Sequence, residues 1–111
     1  MSRVDICAVG DIPAGGSLAV TVGDVPVALV RTEGSVYAIY DRCSHADVAL
    51  SEGEVEGCAI ECWLHGSSFD LRTGAPLSLP ATLPVPVFPV EVLGDGDAAR
   101  VLIDVTTPAL P

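Results

Sequence analysis

Apolar residues in this chain come in short runs, broken again and again by glycine-containing turns. The runs at 18–22, 25–30 and 36–40 are rich in valine, alanine and aromatic residues and predict strands. Gly23-Asp24 and Glu33-Gly34 lie between them and suit tight hairpin connections. Further strands are expected at 59–61, 68–71, 85–91 and 100–105, with turns at Glu56-Gly57, Thr73-Gly74 and Asp95-Gly96. Within 85–91, Pro86 and Pro89 each remove a ladder donor and allow only an edge or bulged strand. No stretch reads as a helix. Many short strands at this spacing predict an all-β fold, a small antiparallel sandwich or barrel.

At 111 residues and 11.4 kDa the chain is expected to form one domain over 1–105, with 106–111 as a loose C-terminal tail. A hydrophobic fraction of 50% argues against disorder. No apolar run approaches the length of a membrane span or a signal peptide, which predicts a cytoplasmic protein with no membrane partner. Fifteen acids against five arginines, with no lysine, give a net charge of -10. Nucleic acid is thereby an unfavourable partner, because phosphate contacts need basic surface. A partner with a basic docking patch suits such a chain.

Four cysteines are few for a disulfide framework, and two of them stand beside histidines. Cys43-Ser44-His45 and Cys62-Trp63-Leu64-His65 are separated by 16 residues, and each follows a predicted strand. Sulfur and imidazole donors suit zinc, copper and iron–sulfur chemistry and disfavour calcium or magnesium. Four such ligands can hold one tetrahedral zinc ion, which would make the chain a zinc-stabilised interaction module. Zinc fingers usually group cysteines with cysteines and histidines with histidines, whereas here each loop supplies one of each. That arrangement suits a two-iron cluster, with both loops clamping both irons. Cys7 and Cys58 lie among apolar neighbours and read as small buried hydrophobes.

In the order C-x-H…C-x-x-H-G-S the chain resembles the Rieske [2Fe–2S] family. The likeness takes in Tyr40-Asp41-Arg42, the run from His65 to Gly74, Leu79-Pro80-Ala81 and Phe88-Pro89-Val90. It is nearest to the small Rieske ferredoxins of bacterial aromatic-ring dioxygenase systems. The resemblance implies one [2Fe–2S] cluster, with Cys43 and Cys62 on one iron and His45 and His65 on the other. It implies a Rieske-type fold with two cluster-binding loops and a one-electron carrier, not an enzyme. The donor would be a flavin-dependent NADH ferredoxin reductase and the acceptor a terminal Rieske non-haem iron oxygenase. The small Rieske subunit of assimilatory nitrite reductase is the alternative.

Around the ligands, the resemblance gives Ser67 the role of a donor to a bridging sulfide. It puts Phe69 where high-potential members carry a tyrosine, so a low potential is expected. Trp63, between two ligands, reads as apolar cover or part of a docking face, and Pro80 belongs to a stiff segment over one side of the cluster. The respiratory branch of the family joins its two loops by a disulfide; Val48 and Leu64 stand in the corresponding neighbourhood here.

Overall fold

A computed structural model describes residues 3–44, 48–64, 66–79 and 83–106. Its ten strands are β1 (Arg3–Ala8), β2 (Gly16–Val22), β3 (Val25–Thr32), β4 (Ser35–Tyr40), β5 (Val55–Glu56), β6 (Ala59–Glu61), β7 (Ser68–Asp70), β8 (Val87–Phe88), β9 (Val90–Leu93) and β10 (Arg100–Asp104). They form three antiparallel sheets in the orders β1-β10-β9, β2-β3-β4-β8 and β5-β6-β7. The all-β sandwich expected from the turn spacing is present. Helix among the described residues is limited to single 3-10 turns at Val9–Asp11, Leu50–Glu52 and Gly96–Ala98.

The four-stranded sheet is the middle layer, and residue alternation along its strands divides the core in two. On β3, Ala28 and Val30 face the side that holds Cys43 and Cys62, while Val27 and Leu29 face the β1-β10-β9 sheet. Strands β4 and β8 divide in the same way: Ile39 and Val87 lie on the cysteine side, Ala38 and Phe88 on the other. A strand buried on both faces must be apolar at consecutive positions, as Val27-Ala28-Leu29-Val30 is. The hairpins around it match the turn residues. Glu33 (φ 52°) and Gly34 (φ 76°) are both left-handed, as a tight two-residue turn between β3 and β4 requires. Glu33 adopts that conformation at a cost of about 1–2 kcal/mol, which the paired strands offset.

One expectation is corrected, and two strands were not anticipated. The strand expected at 85–91 is two strands in different sheets: β8 pairs with β4, and β9 pairs with β10. Pro89 between them has no N–H to continue a ladder, so the chain changes sheet there. Strand β1 escaped the pattern because its register shifts between Asp5 and Cys7, which breaks the period-two alternation and leaves Val4 exposed. Strand β5 escaped it because two residues carry no period.

Candidate metal centre

Cys43 lies three residues beyond the end of β4, and Cys62 immediately follows β6. Both are buried, in no disulfide, and belong to one core cluster with Leu50, Ile60, Phe69 and Leu71. The two loops therefore present their sulfurs to a common interior. Backbone hydrogen bonds shape each loop. In the first, the Cys43 N–H donates to the Val48 carbonyl at 3.0 Å. In the second, the Cys62 N–H donates to the Ser67 carbonyl at 2.6 Å, and the Gly66 N–H donates to the Cys62 carbonyl at 2.9 Å. Gly66 takes φ 76°, a left-handed turn that a side chain would strain.

His45, His65 and Pro80 lie outside the described residues. Among the described residues no three of His, Cys, Asp and Glu converge as a metal site. Two buried cysteines from separate loops, in one core and in no disulfide, are the soft half of the donor set that an iron–sulfur centre needs, so the residues present fit such a group. Ser67 and Phe69 are fully buried beside them. Phe69 belongs to the core on the cysteine side. Trp63 is 51% exposed, so it stands at the surface and not over a sealed interior.

Exposed apolar side chains gather near these loops. Leu83 is tied to the first loop by the Ser44 hydroxyl, which donates to the Leu83 carbonyl at 2.5 Å. Leu77 is tied to β7 by its N–H, which donates to the Ser68 carbonyl at 2.7 Å, and Ser78 Oγ accepts from the Ser68 N–H at 3.0 Å. Trp63, Leu64 and Leu79 are exposed as well, Leu79 at 77%. Glu54, Glu56 and Glu61 line one cleft with Leu77 and Ser78. Glu52 is also exposed.

Away from the loops, Cys7 is buried in the opposite core, where burial and then the Asp11 carboxylate push its thiol pKa up. Cys58 packs at the edge of the cysteine-side core, and its hydrogen bond with Tyr37 pushes the phenol pKa up. Burial would raise the Asp70 carboxyl, but hydrogen bonds from the Arg72 backbone N–H and guanidinium outweigh it and hold that pKa down. Sequence reasoning missed the Asp41–Ser51 contact. The Ser51 N–H and hydroxyl both donate to the buried Asp41 carboxylate at 2.7 Å, and no local pattern marks a pair ten residues apart.

The Rieske [2Fe-2S] domain profile matches residues 2–89, and the chain belongs to that family. It is a ferredoxin-type electron-transfer component of the aromatic-ring-hydroxylating dioxygenase class, not itself an enzyme. The ferredoxin subunit of 3-phenylpropionate/cinnamic acid dioxygenase from Escherichia coli K12 is 46% identical over 95 residues, covering 85% of this chain and 89% of the relative. The solved ferredoxin of carbazole 1,9a-dioxygenase from Nocardioides aromaticivorans IC177 is 36% identical, with a TM-score of 0.83 and full coverage of both chains. A ferredoxin solved in complex with the oxygenase of carbazole 1,9a-dioxygenase is also 36% identical, with a TM-score of 0.78, covering 91% of this chain and 92% of that one. A nitrite reductase small subunit, at 20% identity and a TM-score of 0.77, shares the fold alone. No helix among the described residues is long and apolar enough to cross a membrane.

Proposed function

We propose that Cys43 and Cys62 hold one iron of a single [2Fe–2S] cluster, and that His45 and His65 hold the other. On this reading the protein receives electrons singly from a flavin-dependent NADH ferredoxin reductase. It delivers them to a terminal non-haem iron oxygenase in the cytoplasm, with residues 1–105 acting as one unit. The observation that carries the reading is the burial of two cysteines from separate loops, in no disulfide, in one core. When bound, the cluster supplies a one-electron couple, and neutral imidazole ligands place its potential above that of four-cysteine ferredoxins.

The chain's own residues do the rest. Leu50, Ile60, Phe69 and Leu71 exclude water behind the sulfurs. Ser67, fully buried in the second loop, is the candidate donor to a bridging sulfide. Exposed Trp63, Leu64, Leu79 and Leu83 give the metal end an apolar contact surface, on which a partner docks by burying area. Pro80 adjoins Leu79 in that segment. The Glu54, Glu56 and Glu61 carboxylates share a cleft with Leu77 and attract a basic partner, an effect that weakens as salt rises.

Two measurements test this. Metal analysis of the purified protein is expected to give two irons and two acid-labile sulfides, and the reduced form a rhombic EPR signal. With reductase and oxygenase added, NADH oxidation is expected to couple to hydroxylated product only when this protein is present. One stoichiometric zinc without sulfide would overturn the assignment.

A further inference from the structure

We infer that Asp41 is a positioning residue for the metal site: its carboxylate clasps Ser51 and holds both metal loops in register, where no disulfide joins them. The inference rests on the proposed cluster ligation. Its physical basis is a continuous set of contacts from the root of one loop to the root of the other.

Asp41 follows β4 and is 6% exposed. Its backbone N–H donates to the Pro26 carbonyl at 3.0 Å, which anchors it to the middle sheet. One carboxylate oxygen accepts from the Ser51 N–H and the other from the Ser51 hydroxyl, each at 2.7 Å. The clasp ties residue 41 to residue 51, on either side of the sequence that carries Cys43. Ser51 is itself tied down, because Ser17 Oγ on β2 donates to its carbonyl at 2.9 Å. Its neighbour Leu50 is fully buried in the core shared by Cys43 and Cys62.

The contacts then pass to the second loop. A Cβ on Gly53 would stand 1.6 Å from the Glu61 carbonyl oxygen, so only glycine allows the two backbones to meet there. The Glu61 N–H donates to the Glu54 carbonyl at 2.8 Å. Glu61 is the last residue of β6, and Cys62 comes next. Asp41, Ser51, Gly53 and Glu61 thus link the approach to Cys43 with the approach to Cys62. A buried, doubly accepting carboxylate is a strong tie, since its bonds are charge-assisted and leave no lone donor on Ser51.

The test uses the holo-protein and three variants. Asp41→Ala removes the clasp. Ser51→Ala removes the hydroxyl bond and leaves the carboxylate. Asp41→Asn removes the charge and keeps the shape, with its amide oxygen accepting from the Ser51 N–H and its NH2 turned to the hydroxyl oxygen. Iron release to a chelator, well below Tm, is expected to quicken at least about tenfold in Asp41→Ala and by less in Ser51→Ala and Asp41→Asn, each of which keeps part of the clasp. The EPR lines of the first two should broaden. Amide exchange across 48–54 should speed up in both, while β2 and β3 keep their protection.

A residue that only stabilised the fold would lower Tm and leave release rate and EPR line shape unchanged, and that result would overturn the inference. If Asp41→Ala does not fold, Ser51→Ala decides: wild-type release and wild-type exchange across 48–54 refute the clasp. Absence of iron and sulfide from the wild type sinks the cluster reading instead, and exchange across 48–54 still decides whether Asp41 holds the loops.

Discussion

The two sides of the middle sheet are stabilised in different ways. On the distal side, β1, β10 and β9 pair along four to six residues each, and Val101 and Ile103 are fully buried against Val27 and Leu29. On the metal side, β5, β6 and β7 have only two or three residues each, and the chain between them is loop. Short strands bury little, so loop hydrogen bonds and the close approach at Gly53, together with the proposed metal ligation, carry a larger share of the order there. The contrast fits the function: the distal side is scaffold, and the metal side is shaped to hold a centre near a surface.

The largest expected effect separates the sides most sharply. Cys62→Ala should abolish the visible absorption of the cluster and speed amide exchange throughout 55–71. Strands β2, β3 and β10 should remain protected, which hydrogen-exchange mass spectrometry reads directly. Uniform loss of protection would mean that the two sides fold as one unit with the cluster.

Next in size is a matched pair of cavity mutants. Ile103→Ala on the distal side and Leu50→Ala on the metal side each delete a fully buried aliphatic chain, and each should cost roughly 2–5 kcal/mol in denaturant unfolding. Only Leu50→Ala should also change the visible spectrum and hasten cluster loss. Equal spectra in the two would remove the distinction between the halves.

A smaller effect concerns potential. Film voltammetry of the wild type is expected to give a value near the low end of the roughly -150 to +300 mV range of such centres. Phe69 is fully buried among the residues behind the cysteines, so Phe69→Tyr brings a hydroxyl into that interior. A hydrogen bond from it to sulfur would raise the potential by on the order of tens of millivolts. A fall in potential, with the cluster intact, would show that the ring does not face the sulfurs.

The smallest effect is electrostatic. Asp70 on β7 has its folded pKa held below the ordinary 3.8, so it contributes stability above that value and loses it as pH falls through the folded pKa. The Arg72 partner is largely exposed, which keeps the contribution small. Asp70→Asn should therefore be slightly less stable than wild type at neutral pH, and the gap should close in acid. Urea titrations from pH 2 to 7 give the curve.

Much of the fold was legible because period and punctuation are local. Apolar runs within 18–40 are separated by two glycine-bearing turns, and β2, β3 and β4 stand where that pattern placed them. Strand β1 was not legible, because its bulge destroys the alternation that announces a strand. The division of 85–91 at Pro89 was readable as an interruption, but not as a change of sheet. At the site, Cys43 and Cys62 stood out because each lies beside a histidine, and their place as ligands is what the family resemblance implies. Asp41 was noticed only as part of a motif, since its partner is defined by folding and not by sequence distance.

The sequence by itself determined the donor types, their division between two loops, the acidic surface and the β character of the chain. These follow from side-chain chemistry and from periods of a few residues. Only the tertiary structure decided that the middle sheet serves two separate cores, that Phe69 is interior while Trp63 is exposed, and that Gly53 lets one loop's end rest on the strand feeding the other. Those outcomes depend on contacts between residues far apart in the chain. Such contacts are chosen by burial and close packing across the whole molecule, and no local pattern encodes them.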